Sequence, residues 1–384
     1  MLGLPIMTGL SGFFPSLIAF FAVWAFMTLT GLLLVEVNSG FKQRVNFITM
    51  VDKTLGKKGR IACWLLYLFL FYSILLAYIA GIGSLVSKIL QQYAGVALPD
   101  WAGSLFFVLL FGWIIYLGTR PVDMWNRFLM IGKIGAFLGL VFIGASQVQS
   151  SLLERSVPEY SFYALPILVI SFGFHNMIPS LTHYLGGDVG KVRKSIVMGG
   201  LFALVIYLIW QIIVLGIIPF RGPSGILESY KSGNEATQAL IGLLDTNWVS
   251  YFATLLGFFA ILTSFLAQSL SLSHFLGDGL KVDYRKHEEF WLVALTLVPP
   301  LILAIVYPGA FLKALDFAGG ICAVILFGVM PVMMAWKGRY REGIKTPYKV
   351  FGGRPLLIIL FLIAVFISLF QLSKMFDAPY LPPL

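Results

Sequence analysis

The feature that most limits what this chain can become is a succession of long apolar runs parted by short polar loops. After a leading apolar fragment at about 1–10, full-length runs lie at about 14–37, 61–90, 102–118, 127–148, 161–185, 194–219, 248–275, 290–307, 311–336 and 354–374. A helix needs roughly 20 apolar residues to cross the hydrocarbon core of a bilayer. In lipid every backbone amide must find its partner internally, and runs of this length do so as helices. Soluble domains carry about 25% charged residues, whereas only 11% of these 384 residues are charged and 59% are hydrophobic. The sequence therefore predicts an all-α membrane protein built as one bundle, resident in a lipid bilayer.

The net charge of +10 would suit a nucleic-acid binder if the basic residues shared one face. They sit instead in alternate loops. One set holds Lys42, Arg44, Lys53, Lys57, Lys58 and Arg60, then Arg120 and Arg127, then Lys191, Arg193 and Lys194, then Lys281, Arg285 and Lys286, then Lys337, Arg339, Arg341, Lys345, Lys349 and Arg354. The other set holds only Arg155, Arg221 and Lys231. By the positive-inside rule the rich set is cytoplasmic. This supports the span order, puts the C-terminal residues 375–384 outside, and leaves no nucleic-acid partner. Cys63 and Cys322 fall in or beside apolar runs and give neither a disulfide framework nor a metal spacing. HExxH, GxSxG and P-loop signatures are missing, and His287-Glu288-Glu289 lacks a second histidine. The sequence thus points to no enzyme and no cofactor. The longest outside loop, 220–247, predicts a short amphipathic helix capped by Asn234, with Ala236, Leu240, Ile241 and Leu244 on one face.

Two spans are interrupted. The leading fragment carries Gly3-Leu4-Pro5, and the sixth span carries Ser171-Phe172-Gly173-Phe174-His175-Asn176-Met177-Ile178-Pro179. Proline removes an amide bond and crowds the preceding turn. Non-helical backbone at membrane depth is tolerated only inside protein or around a wet cavity. The helix is expected to open around 172–176 and restart near Met177, exposing amides at one new end and carbonyls at the other. Such ends suit the carboxylate and ammonium groups of an amino acid. A plain proline kink beside a buried histidine is the other reading. Breaks in the first and sixth spans match an inverted five-plus-five repeat, with halves at 1–150 and 158–336 and the helix at 354–374 added.

The segments Met1-Leu2-Gly3-Leu4-Pro5-Ile6, Leu34-Val35-Glu36-Val37, Ala77-Tyr78-Ile79-Ala80-Gly81, Ser171 to Ser180 and Thr263-Ser264-Phe265-Leu266 occur in this order. Together they resemble the hydroxy and aromatic amino acid permease family, particularly its tyrosine and tryptophan branch. The resemblance covers nearly the whole chain, and the sixth-span motif is its most specific part. It implies the fold of the amino acid–polyamine–organocation transporters and the import of tyrosine, and possibly tryptophan, with protons across a bacterial inner membrane. A serine or threonine carrier of the same family is the nearest alternative, and a non-transporting structural or assembly protein is the more distant one. The family's first span starts with a Gly-rich stretch before the Met-Leu-Gly-Leu-Pro equivalent. Here that stretch is absent, so a first helix truncated by about half is expected.

The substrate-binding candidates are Gly3, Ser171, Phe172, Gly173, Phe174, His175, Asn176 and Tyr78. Lys133, His175 and Ser264 are the candidates for proton coupling. Lys133 either snorkels to the cytoplasmic interface or acts as a buried ammonium in place of a coupling sodium ion, as the resemblance implies. Ser264, Gln268 and Ser271 share one helix face, which serves either function or packing. His175 either takes the coupled proton or orients the opened backbone. Tyr72 and Tyr78 could stack on an aromatic substrate. Asp316 either forms part of an outer gate or, the favoured reading, pairs with Lys313 at the i, i+3 spacing, and Gly132, Gly135 and Gly139 are expected to form a packing stripe.

Overall fold

Each apolar run becomes helical, the run at 161–185 as two helices, in the computed structural model, which describes residues 1–41, 45–243, 248–280, 286–307, 310–344 and 346–376. Lys42, Arg44, Leu244, Lys281, Arg285, Lys345 and the C-terminal residues 377–384 lie outside the described residues, as do the side chains of Lys286, His287, Glu288 and Glu289. In chain order the α-helices of six or more residues are α1 (Leu4–Gly9), α2 (Phe13–Ser39), α3 (Phe47–Ala94), α4 (Asp100–Tyr116), α5 (Thr119–Gly144), α6 (Leu165–Ser171), α7 (Ile178–Tyr184), α8 (Val189–Ile217), α9 (Ile226–Ser232), α10 (Ala236–Leu243), α11 (Trp248–Leu280), α12 (Lys286–Val306), α13 (Ala310–Tyr340) and α14 (Gly353–Phe376).

Two helices start earlier than their apolar runs. α3 begins at Phe47 and is interrupted at Gly56, whose φ of 80° only glycine adopts readily. α5 begins at Thr119, so Arg120 and Arg127 lie on a helix and not in a loop. Arg127 pairs there with Asp123 at 2.8 Å, a solvated i, i+4 pair. Asp188 opens α8 by accepting the Lys191 amide at 3.0 Å. That hydrogen bond holds its carboxyl below the usual carboxylate range.

The chain forms two compact units that interleave in sequence. The first comprises Met1–Phe14, Phe71–Val157 and Ile209–Leu315. Its main helix pair is α5 with α11. Small residues allow the approach, since a Cβ on Gly132 would lie 2.8 Å from the Phe259 ring and one on Gly139 2.5 Å from Phe252. Gly135 faces open space, so the expected stripe packs at two of its three positions.

The second unit comprises Pro15–Leu70, Pro158–Leu208 and Asp316–Leu384. Its middle is the stretch Ala318–Val329 of α13, wound as a π-helix. π turns widen a helix and recur at functional sites. Gly319 brings this stretch against the backbone of α6, where any Cβ would lie 1.9 Å from the Pro166 carbonyl oxygen. Asp316 does not pair with Lys313, which is exposed. Its Oδ2 accepts from Lys374 Nζ at 2.7 Å and Gln371 Nε2 at 3.1 Å. The α14 partners win because they meet the carboxylate where both charges are largely removed from water.

Candidate functional site

The sixth span opens where its sequence predicts. α6 ends at Ser171, residues 172–174 leave helical geometry, His175–Met177 make one 3-10 turn, and α7 resumes at Ile178. Phe172 and Phe174 carry φ/ψ of −95°/13° and −128°/2°. Gly173 follows from crowding as well as freedom, because a Cβ there would sit 3.1 Å from the Ile170 carbonyl. Across the opening, the Phe172 amide bonds to Leu168, Gly173 to Ile170 and Met177 to Phe174. The amides of Phe174, His175 and Asn176 take no such backbone partner among the described residues. The Ser171 carbonyl accepts from the Tyr207 hydroxyl at 2.8 Å. An opened helix thus keeps some backbone groups satisfied by side chains and leaves amides for another acceptor.

His175 is fully buried, with its ring between two phenyl faces. Phe327, from the π stretch, stacks at 4.9 Å and 11°, and Phe174 at 5.0 Å and 27°. Nε2 lies 3.0 Å from the Thr30 hydroxyl, which itself bonds the Phe26 carbonyl at 3.0 Å. With its one proton on that carbonyl, Thr30 accepts from Nε2–H. Nδ1 is then the unprotonated nitrogen, buried with no hydrogen-bond partner among the described residues. Gly31, next to Thr30, admits the Phe174 ring, which a Cβ would meet at 2.8 Å. Phe172 packs edge-on against Phe20 and Tyr207.

The remaining candidates belong to the first unit. α1 is wholly buried, and Gly3 stands just before it with φ/ψ of −79°/−13°. Its neighbours hold the segment from several sides. Trp210 Nε1 donates to the Met1 carbonyl at 3.2 Å, and Gln211 Nε2 to Thr8 Oγ1 at 2.5 Å. Past its end, the Arg155 guanidinium donates to the carbonyls of Gly9 and Leu10 and lies 3.6 Å from the Phe220 ring centroid. These are carbonyls a short helix leaves unpaired. Gly12, with φ of 91°, then turns the chain into α2.

Lys133 Nζ reaches the Thr263 hydroxyl at 3.4 Å, so it contacts α11 at the residue before Ser264. Ser264 is the next residue of α11, and Tyr78 lies on α3 of the same unit. The structure therefore joins Lys133 with Thr263 in the middle of α11. Tyr72 bonds the Leu295 carbonyl at 2.8 Å, and Ser271 the carbonyl of Ala267 in its own helix. Sequence reasoning missed Thr30, Tyr207 and Phe327 around the opening, and Arg155, Trp210 and Gln211 around α1. Each is a common residue type in an ordinary span or loop. Only the polar character of Thr30 and Gln211 within apolar runs could have marked them.

The model of the tryptophan/tyrosine permease family matches residues 1–371. The chain is similar to the tyrosine-specific transport system 2 of Haemophilus influenzae, 32% identical over 372 residues, which cover 96% of this chain and 91% of that protein. It is 31% identical to the tryptophan-specific transport protein of the same organism, over 94% of this chain and 89% of that one. Among solved structures it is similar to MhsT in complex with L-phenylalanine, with a TM-score of 0.63 at 15% identity, covering 97% of this chain and 94% of that chain. It is also similar to Mhp1, a nucleobase-cation-symport-1 family transporter in a closed conformation, with a TM-score of 0.53 at 13% identity, covering 97% and 89%. At these identities the solved structures show the fold alone, that of an all-α, multi-pass membrane transporter.

Proposed function

Because the chain belongs to the tryptophan/tyrosine permease family, we propose that it imports tyrosine, and secondarily tryptophan, together with protons across a bacterial inner membrane. It is a transporter of aromatic amino acids and not an enzyme, in line with the tyrosine- and tryptophan-specific relatives. The observation that carries the mechanism is the opening at 172–174, with three amides free of backbone partners beside a fixed aromatic stack. Amides at a helix start favour a carboxylate, so Phe174, His175 and Asn176 receive the α-carboxylate and the Ser171–Gly173 carbonyl end takes the α-ammonium. Phe172 and Phe174 give the substrate ring apolar faces, where offset or edge-on aromatic contacts add about 0.5–1.5 kcal/mol each. Within the first unit, Gly3 and Tyr78 are the substrate-binding candidates.

His175, held through Nε2 by Thr30, orients the opened backbone and presents Nδ1 as a proton acceptor. Lys133 supplies the coupling cation, with Thr263 as its α11 contact and Ser264 next to it in sequence. Transport runs by alternating access within an inverted five-plus-five repeat, 1–150 and 158–336, with α14 appended and the C-terminus outside. The test is uptake of labelled tyrosine by proteoliposomes with and without an inward pH gradient. Accumulation that needs the gradient and is inhibited by tryptophan is the expected result. Uptake of serine or threonine in place of both aromatic substrates overturns the aromatic assignment. Tyrosine accumulation indifferent to pH overturns the proton.

A further inference from the structure

The outer loop 220–243 does more than close a gap between spans. α10 is amphipathic by sequence, yet six consecutive residues, Ala236 to Ile241, are all buried. Its cap is not Asn234 but Glu235, a fully buried residue whose carboxylate accepts the Thr237 amide at 2.6 Å, the Gln238 amide at 3.2 Å and the Thr237 hydroxyl. A helix start has four amides without intrahelical partners. Glu235 takes two of them. Another, that of Ala236, donates to the Leu2 carbonyl at 3.1 Å, in the segment that precedes α1. Two residues further along α10, Gln238 Nε2 donates to the Gly81 carbonyl at 3.3 Å. On α11, Gly257 stands so close to Thr237 that a Cβ there would lie 2.5 Å from Thr237 Oγ1.

These contacts reach three elements, and each carries a proposed site residue nearby. Leu2 adjoins Gly3. Gly81 lies three residues beyond Tyr78, one helix turn. Gly257 lies seven residues before Ser264, two turns along α11. All belong to the first unit. We propose that Glu235 and Gln238 are positioning residues for transport. Through α10 they fix the Leu2 carbonyl, the Gly81 turn and the Gly257 turn relative to one another, and so set the affinity that Gly3 and Tyr78 provide and the placement of the coupling candidate Ser264. Glu235 acts by capping, which aims the Ala236 amide at Leu2. Gln238 acts by a direct tie to α3. The inference rests on the transport function proposed above.

The test compares Gln238→Leu, Glu235→Leu and Glu235→Gln with the wild type in proteoliposomes, scoring KM and Vmax for tyrosine uptake, tyrosine binding in detergent and thermal stability. Gln238→Leu roughly keeps the side-chain volume while removing the amide that donates to Gly81. A net hydrogen bond corresponds to roughly a 2- to 12-fold change in an equilibrium, so KM and Kd should rise about 3- to 10-fold at near-normal protein yield. Glu235→Leu should raise both further, and Glu235→Gln, which keeps one acceptor oxygen, should recover part of the loss. Gly257→Ala, which displaces Thr237 without removing a polar group, should also raise KM. Variants that lose Vmax only in proportion to folded protein, with KM and Kd unchanged, overturn the positioning role. A wild type that binds and moves neither aromatic substrate overturns the transport function, and this assignment with it.

Discussion

The most informative single perturbation lies in the motif Leu34-Val35-Glu36-Val37. At the end of α2, Glu36 is 2% exposed and receives three hydrogen bonds. Arg339 Nε donates at 2.6 Å, Arg339 Nη2 donates to the second oxygen, and the Val350 amide donates to that oxygen at 2.8 Å. Arg339, 7% exposed, also donates to the Val350 carbonyl at 3.0 Å. The pair therefore ties the end of α2, the end of α13 and the connection to α14 into one bidentate, charge-assisted node. Removing one member of a buried pair costs about 3–5 kcal/mol, because it leaves the other charge in a poor solvent. Glu36→Met and Arg339→Met should each fall in that range, and simple addition would give roughly 6–10 kcal/mol. The double variant Glu36→Met/Arg339→Met leaves no buried charge. It orphans only the Val350 amide and carbonyl, at about 1–3 kcal/mol each. It should therefore lose roughly 2–6 kcal/mol, about as much as either single change. The assay is thermal unfolding of purified protein in detergent, read as the surviving monodisperse fraction. If the double variant melts as far below the singles as the singles melt below wild type, the charges are not coupled and the node is misread.

Three further outcomes follow from the same reasoning. Lys133→Ala should abolish uphill, gradient-driven uptake while sparing tyrosine exchange, and equal loss of both at normal expression would assign Lys133 a structural role only. Thr30→Val keeps the shape beside His175 but removes its Nε2 partner; it should cost about 1–3 kcal/mol of stability and weaken tyrosine binding, and an unchanged melting profile with unchanged Kd would show that Thr30 does not hold the ring. Gly319→Ala should abolish folded protein in detergent, since its Cβ would lie 1.9 Å from the Pro166 carbonyl, while Gly135→Ala, with nothing within 4 Å, should be recovered at wild-type yield; equal yields would refute the close packing of α6 on the π stretch.

What the sequence made legible follows from which forces act locally. Spans are written in hydropathy, because the cost of burying an amide in lipid falls on every residue of the segment. The opening of the sixth span was legible for the same reason, since Gly173, His175, Asn176 and Pro179 are each expensive in an unbroken membrane helix. Helix starts were less so. Residues 47–55 of α3 and 119–126 of α5 carry polar groups at the membrane edge, so hydropathy ends before the helix does. The partners of the opening were not legible at all. Thr30 lies 145 residues from His175, and Phe327 sits in an apolar run where any phenylalanine would satisfy the pattern.

Two misassigned polar residues show where local rules give way. Spacing favoured Lys313 for Asp316, yet an exposed lysine gains little from a pair that water already screens. Lys374, on the last span, gains more because both groups are largely buried there. Asn234 is the better cap by preference, yet Glu235 caps α10, since a buried carboxylate must take the strongest donors within reach and the free amides of that helix supply them. In both cases the decision was made by desolvation, which depends on the surrounding fold and not on neighbours in sequence. In a membrane transporter the same asymmetry bears on function. The spans can be read from composition, whereas the groups that bind and couple are those whose partners come from elsewhere in the chain. A proposal for them therefore has to rest on geometry, as the proposals here rest on the contacts of His175 with Thr30 and of Lys133 with Thr263.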